Sequence, residues 1–397
     1  MLSSALDKLS ALREELRGVF LERPEVIDGV LYAIISGKHV LLLGPPGTAK
    51  SMLADRVCRH IEGAGYFQWL LTRFTTPEEI FGPISLRGLE NDRYERVYSG
   101  RLPDAHIAFL DEIFKANSAI LNALLSIINE RVFFNGDEAV EVPLVSLIGA
   151  SNDLPEEEEL AALYDRFLLR YIVDYIEGEE DFKRMLRLGE TVPAQRVTLD
   201  ELNDLREGAA RVEVPDYVLD LLYRLRAALR REGIFASDRR YRESLDIVRA
   251  AALLAGRREV EDEDLFVLRH VLWQDPEQIG AVAEMVFDSI NPLERQAEML
   301  LEQAEDIARL AMGDFADEEE SSRAGLEAHS KLKKVNESLY RLIVRSQEES
   351  RPTARLTEIR TSIERVHNRV LDHCLGLERG LDPELGRQGT QRGEGPP

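Results

Sequence analysis

The apolar run Val40-Leu41-Leu42-Leu43 leads straight into Gly44-Pro45-Pro46-Gly47-Thr48-Ala49-Lys50-Ser51. A buried-type strand, a glycine-rich turn and a Lys-Ser pair predict a strand, a phosphate loop and a helix start in that order. This commits the chain to an α/β architecture, because such a loop works where a strand end meets a helix N-terminus. Free backbone N–H groups, one Lys and one Ser suit the phosphates and Mg²⁺ of a nucleoside triphosphate. The general loop pattern has Gly directly before the Lys, and here that position is Ala49.

The surrounding pattern extends the same architecture. Strand-type runs at residues 67–71, 107–110, 144–149 and 170–173 alternate with helical spacing at 51–61 and 119–129. Alternation across 39–174 predicts a parallel sheet with helices on both faces. Two helices, over 2–21 and 24–36, precede it. Two hairpins are expected to interrupt it. One lies within 83–103, turning around 88–92; the other joins 132–134 to 139–142 through Asn135-Gly136. After about Glu177 only helical spacing remains, near 215–232, 239–255 and 261–273, with Thr198-x-x-Glu201 as a capping box. From Pro276 onward, Ile290, Leu293, Ala297, Leu300, Ala304, Ile307 and Ala311 keep alternating three-four spacing. Later runs through Leu332 and Leu356 do the same. They predict two or three long helices packed like a coiled coil, broken at 314–320 and at Pro352. Residues 380–397 hold little apolar content and read as a disordered tail. The expected domains are therefore 1–178, 179–275, 276–379 and the tail.

Bulk properties narrow the class. A chain of 397 residues, 44% hydrophobic and 31% charged, suits a soluble globular protein of two or three domains. No apolar run approaches the roughly 18 residues of a membrane helix, and the N-terminus lacks a signal-peptide pattern. Two distant cysteines, Cys58 and Cys374, argue against a disulfide framework or a zinc site and fit the cytoplasm. A net charge of −23 argues against general nucleic-acid binding, which rests on Lys and Arg.

Four further signals could carry chemistry. Ile107-Ala108-Phe109-Leu110 places Asp111-Glu112 at the C-terminal end of a buried strand, where ligands bind in open α/β sheets. Asp111 would help hold Mg²⁺ and Glu112 would polarise an attacking water. Asn152, after the run Leu147-Ile148-Gly149-Ala150, would sit beside the phosphate loop and orient that water, or else cap a turn. Arg166, just before the last strand, suits either a structural ion pair or a γ-phosphate contact in a neighbouring subunit. The Arg239-Arg240 pair at a helix start could touch the γ-phosphate from the helical domain of the same chain.

This order of parts resembles the AAA+ arrangement, and more closely its MoxR branch, particularly RavA-like members. The resemblance rests on Gly44-Pro-Pro-Gly-Thr-Ala-Lys-Ser51, Phe74-Thr-Thr-Pro-Glu-Glu-Ile-Phe-Gly82, Tyr94-Glu-Arg-Val-Tyr-Ser-Gly100, Phe109-Leu-Asp-Glu-Ile113, Ile128-Asn-Glu-Arg131, Ala150-Ser-Asn152, Leu163-Tyr-Asp-Arg-Phe167 and Ser237-Asp-Arg-Arg240. It covers about residues 5–275. It implies an AAA+ P-loop core, an all-α lid and a C-terminal helical extension. It makes Ala49 a family mark. It implies that Gly44, Pro45, Pro46, Gly47, Thr48, Ala49, Lys50, Ser51 and Met52 bind ATP, with Ser51 and Asp111 on Mg²⁺. Glu112 and Asn152 then act on the water, Arg166 is a finger acting in trans, and Arg239 is sensor 2, with Arg240 the fallback. The two hairpins become the helix-2 and pre-sensor inserts that handle partners. Family members form rings, commonly hexamers, and work with a von Willebrand factor A domain protein.

The expected function is therefore an ATP-hydrolysing ring that remodels or matures a protein complex. A nucleotide-gated scaffold with incidental hydrolysis is one alternative. A chelatase-like or DNA-acting AAA+ motor is another.

Overall fold

The computed structural model describes residues 2–155, 158–189, 195–290, 292–313, 318–348 and 353–375. They fall into two compact units, Met1–Ile290 and Asn291–Pro397.

The first unit opens with α1 (Leu2–Val19) and α2 (Pro24–Ser36), then β1 (Val40–Leu43), α3 (Lys50–Arg59), β2 (Ile61–Glu62) and β3 (Tyr66–Leu70). Short helices α4 (Pro77–Phe81) and α5 (Leu86–Glu90) lead to β4 (Ile107–Asp111), α6 (Ser118–Glu130), β5 (Val132–Asn135), β6 (Glu138–Glu141) and β7 (Ser146–Ser151). Then come α7 (Glu158–Arg166), β8 (Leu169–Ile172), α8 (Glu179–Arg187), β9 (Val197–Thr198), α9 (Leu199–Ala210), α10 (Asp216–Arg231), α11 (Asp238–Leu254) and α12 (Ile279–Ile290).

The main sheet has the order β3-β4-β7-β1-β8, with every neighbouring pair parallel. A parallel sheet must bury its strands, and β1 and the first four residues of β4 are buried along their whole length. Helix α2 packs on β1 and β8, and α3 on β3 and β4. The contact of α2 with β8 is close enough that a Cβ on Gly29 would lie 1.9 Å from the Tyr171 hydroxyl. Parallel order also sends the C-terminal ends of β1, β4 and β7 to one edge. Ladder registers Leu43↔Ser151 and Leu110↔Gly149 keep these ends level.

Several expectations change in detail. The insert within 83–103 is not a two-stranded hairpin. A single antiparallel bridge, Ile84↔Arg96, closes a loop that holds α5. Ser85 caps that helix by accepting from the Gly88 N–H, and Asp92 turns the chain back at φ 55°; local hydrogen bonding to backbone therefore replaces a ladder. In the second hairpin the two-residue loop is Gly136-Asp137, because Asn135 pairs with Glu138 as the last strand residue. The region 261–273 is a 3₁₀ stretch, Asp262–His270, started by a Glu261/Asp264 capping box. The capping box at Thr198 and Glu201 forms as expected. Helix α12 packs on α10 and on the 3₁₀ stretch, so the helical extension starts after Ile290 rather than at 276. Val282, Val286 and Ile290 join the core of the first unit, which is the physical reason.

The second unit holds α13 (Pro292–Ala311), α14 (Glu318–Glu348) and α15 (Ala354–Leu375), packed pairwise. Ala297, Ala304, Leu332, Leu339, Leu356, Ile363 and Val370 form its core, matching the three-four spacing. Pro352 and residues 380–397 lie outside the described residues.

Candidate functional site

Chain geometry at residues 44–51 is set by backbone conformations that few residues tolerate. Gly44 has φ 144°, and a Cβ there would stand 2.1 Å from the Val173 carbonyl oxygen. Gly47 has φ 81° and Ala49 φ 62°, the left-handed region, directly before α3. An L-residue in that region costs about 1–2 kcal/mol, so Ala49 holds strain where the general pattern uses Gly. Alternating handedness before a helix start turns successive N–H groups toward one point, which is an anion cradle. Lys50 lies over it. Its Nζ donates to the Gly44 and Pro45 carbonyls at 2.6 and 2.8 Å. Burial lowers the Lys50 pKa, and the charges of Asp111 and Glu112 oppose that shift.

Those two carboxylates come from the adjacent strand end. Asp111 closes β4, and its Oδ1 accepts from the Glu112 N–H at 3.0 Å. Glu112 sits at φ 52°, ψ 46°, a left-handed pose for a non-glycine. Such poses persist where surrounding contacts enforce them and recur at active sites. Here the contacts are Asn152 Nδ2, donating to Glu112 Oε1 at 2.9 Å, and Lys115 Nζ, 3.2 Å from Oε2. Asn152 follows β7, and the Ser151 carbonyl accepts from the Gly44 N–H at 3.0 Å. Lys50, Asp111, Glu112 and Asn152 therefore converge at one sheet edge. A carboxylate and a hydroxyl, Asp111 and Ser51, are the hard oxygen donors that Mg²⁺ takes alongside water, so these residues fit that ion.

Arg166 ends α7. Its Nε is shielded from solvent without a hydrogen-bond partner, and no ion pair engages it among the described residues. Arg239 is not brought to this group. It pairs with Glu243, whose carboxylate also lies 3.5 Å from Lys38, next to the N-terminal start of β1. The phosphate loop is at the other end of that strand, so the expected contact from the same chain's lid does not form. Arg240 fails as the fallback for a different reason: it is 1% exposed and engaged with backbone carbonyls and the Asp165 carboxylate.

Sequence reasoning missed the cleft beside the loop. It encloses 1090 Å³ between Phe20, Leu21, Met52, Tyr175, Phe182 and Met185. Arg23 fastens its two walls, donating to the Thr48 carbonyl and, at 2.9 Å, to the Asp174 carbonyl. Glu22 accepts from the Glu177 and Gly178 N–H groups, and these two hydrogen bonds lower its pKa. Tyr175 donates to the Pro46 carbonyl at 3.3 Å. No motif marks these residues, because they meet only after residues 20–23 and 174–178 are brought together by β1 and β8. Cys58 also lines the cleft, and burial pushes its thiol up to about 11.

Strand order, cradle and carboxylate pair define the core of a P-loop nucleotide-binding protein of the AAA+ class. Comparison with known proteins agrees. The family model for the MoxR domain in the MoxR-vWA-beta-propeller ternary systems matches residues 7–207. A model of the AAA lid domain matches residues 217–286. An uncharacterized protein of Methanocaldococcus jannaschii is 47% identical over 311 residues, 78% of this chain and 80% of its own. Chaperone MoxR1 of Mycobacterium tuberculosis is 29% identical over 284 residues, 65% of this chain and 74% of its own. A crystal structure of a Cytophaga hutchinsonii protein assigned as an ATPase shares the fold, with a TM-score of 0.59 at 18% identity over 72% of this chain and 95% of that one. The chain belongs to the MoxR family of AAA+ ATPases.

Proposed function

We propose that this chain hydrolyses ATP to ADP and phosphate within a homo-oligomeric ring, a hexamer, and uses the cycle to remodel or mature a protein complex. The convergence of Lys50, Asp111, Glu112 and Asn152 on one sheet edge carries the reading. In it, residues 44–52 cradle the triphosphate, and Lys50 neutralises the β- and γ-phosphates. Ser51 and Asp111 hold Mg²⁺, which supplies charge neutralisation on the phosphates when bound. Glu112, oriented by Asn152, polarises the attacking water, and Arg166 enters a neighbour's site to stabilise transition-state charge. Arg239 keeps a sensor role only if it faces another subunit's nucleotide.

The partner reading follows the family. A von Willebrand factor A domain protein is the expected companion, and the ternary systems named for the matching family add a β-propeller protein. The RavA-like affinity belongs to this proposal, as do a cytoplasmic setting and a core–lid division at about residue 178. Among the described residues no helix is long and apolar enough to cross a membrane.

Glu112→Gln tests the chemistry. Loss of the general base should reduce turnover on the order of 10²–10⁴-fold while ATP stays bound, read by rapid filtration with labelled nucleotide. Unchanged hydrolysis would remove Glu112 from its role. Bound ATP with partner capture that never depended on turnover would instead favour the nucleotide-gated scaffold.

A further inference from the structure

The backbone on both sides of Arg166 is held from the lid. Arg240, near the start of α11, has Nε donating to the Val271 carbonyl at 2.9 Å. Its Nη1 donates to the Asp165 and Phe167 carbonyls at 3.1 and 3.2 Å. Its Nη2 donates to the Leu168 and Val271 carbonyls, both at 2.7 Å. A guanidinium has five N–H groups, and all five are used here. Three of the four carbonyls belong to residues flanking Arg166. Arg170, buried on β8, takes the rest of the segment: it donates to the Tyr164 and Phe167 carbonyls at 3.1 and 3.2 Å, and to the lid's Trp273 carbonyl at 2.6 Å. In the stretch 164–168, every carbonyl except that of Arg166 is thus held by a buried arginine. The Arg166 guanidinium itself has no partner among the described residues.

A buried arginine is costly to desolvate, and here the carbonyls and the Asp165 carboxylate, 3.4 Å from Nη1, offset that cost. Gripping four carbonyls around an arginine that has no partner among the described residues fixes the backbone from which that arginine projects. We propose that Arg240 is a positioning residue for Arg166: it aims the arginine at the neighbouring subunit and ties that aim to the lid of its own chain. Any displacement of α11 then shifts residues 165–168, so the lid of one subunit sets hydrolysis in the next. This inference rests on the trans role of Arg166 proposed above.

Mixed assembly separates the two ideas. Arg240→Met keeps its own Lys50, Asp111 and Glu112, so it should bind ATP as the parent does. A finger misplaced by about an ångström costs on the order of 100-fold in turnover. Adding an equal amount of the Glu112→Gln chain, inactive itself but with an intact finger, should restore activity. Random assortment puts an Arg240→Met site beside a Glu112→Gln finger in roughly a quarter of cases, so about a quarter of parent turnover is expected. Arg166→Ala mixed with Glu112→Gln is the control. Rescue in both mixtures supports the proposal. Rescue of Arg166→Ala alone overturns the positioning role and leaves the trans finger standing. No rescue in either overturns the trans finger and this inference with it. Parent-level turnover by Arg240→Met alone also overturns it. Amide hydrogen exchange gives a readout independent of activity: residues 164–169 should exchange faster in Arg240→Met, and unchanged protection there refutes the grip. If Arg240→Met does not fold, Arg240→Lys, with three donors instead of five, replaces it in the same mixtures.

Discussion

Arg166→Ala separates two kinds of arginine by two measurements. The Arg166 guanidinium has no hydrogen bond or ion pair among the described residues, and its Nε is already out of water without a partner. An unsatisfied buried donor is unfavourable by about 1–3 kcal/mol, so removing it offsets the packing lost with the side-chain methylenes. Net stability should change by no more than about 1 kcal/mol. Catalysis should respond very differently. An arginine finger contributes on the order of 10³–10⁵ in turnover, or about 4–7 kcal/mol of transition-state stabilisation. Urea unfolding with linear extrapolation reads the first quantity. Steady-state hydrolysis at concentrations that keep the assembly intact reads the second, with ATP affinity measured alongside. A structural arginine gives the opposite pair of results. Arg170, whose Nη1, Nη2 and Nε all meet carbonyl oxygens, would cost roughly 3–5 kcal/mol of stability if truncated. If Arg166→Ala lost more than about 2 kcal/mol of stability yet turned over within about tenfold of the parent, the finger assignment would be refuted.

Other changes test the surrounding frame. Gly44→Ala forces a methyl against the Val173 carbonyl 2.1 Å away at φ 144°; a loss on the order of 3 kcal/mol is expected, together with lost ATP binding, and an unchanged unfolding midpoint would contradict the packing. Asn135→Leu removes the side chain that accepts from the Arg96 N–H at 2.6 Å and donates to its carbonyl at 3.2 Å. Two backbone groups are left unsatisfied, roughly 2–3 kcal/mol, and limited proteolysis should cut within 83–100 well below the global melting temperature. Equal resistance to protease would show that the two inserts are not joined there. Glu25 accepts from His270 Nε2 at 2.9 Å and pairs with Arg269. The His270 hydrogen bond lowers the Glu25 pKa below its ordinary 4.5, with Arg269 adding to the effect. A lowered carboxylate pKa gives stability that is present above 4.5 and lost as pH falls through the folded value. Glu25→Gln should therefore lose under about 1 kcal/mol at pH 7, since the pair is half exposed, and the deficit should vanish in acid. A deficit that persists below pH about 3 would assign the effect to packing rather than charge.

Legibility in the sequence followed the range of the interactions. Residues 40–51 could be read directly because strand, turn and helix start are local, and each has its own residue chemistry. Asp111-Glu112 and Asn152 were readable for the same reason: an apolar run ending in a polar residue marks the end of a buried strand. The helices of the second unit followed from spacing alone. Errors arose where backbone hydrogen bonds, not side-chain pattern, decided the form. Ser85 and Asp92 turned an expected hairpin into a capped helix in a bridged loop. Asn135 looked like a turn residue because Asn-Gly favours turns, but its amide is held by Arg96 across 39 positions of chain.

The sequence by itself determined the ligand class, the parallel sheet and the identity of the residues at its strand ends. These rest on local propensity and on the period of burial. Tertiary structure alone decided which acceptors each arginine meets. Arg166, Arg170, Arg239 and Arg240 have the same side chain, and no local pattern separates them. Folding leaves Arg166 without a partner among the described residues, pairs Arg239 with Glu243 away from the phosphate loop, and buries Arg170 and Arg240 among carbonyls from both core and lid. A guanidinium's role depends on which acceptors surround it, and those acceptors come from segments up to 104 residues away in the chain.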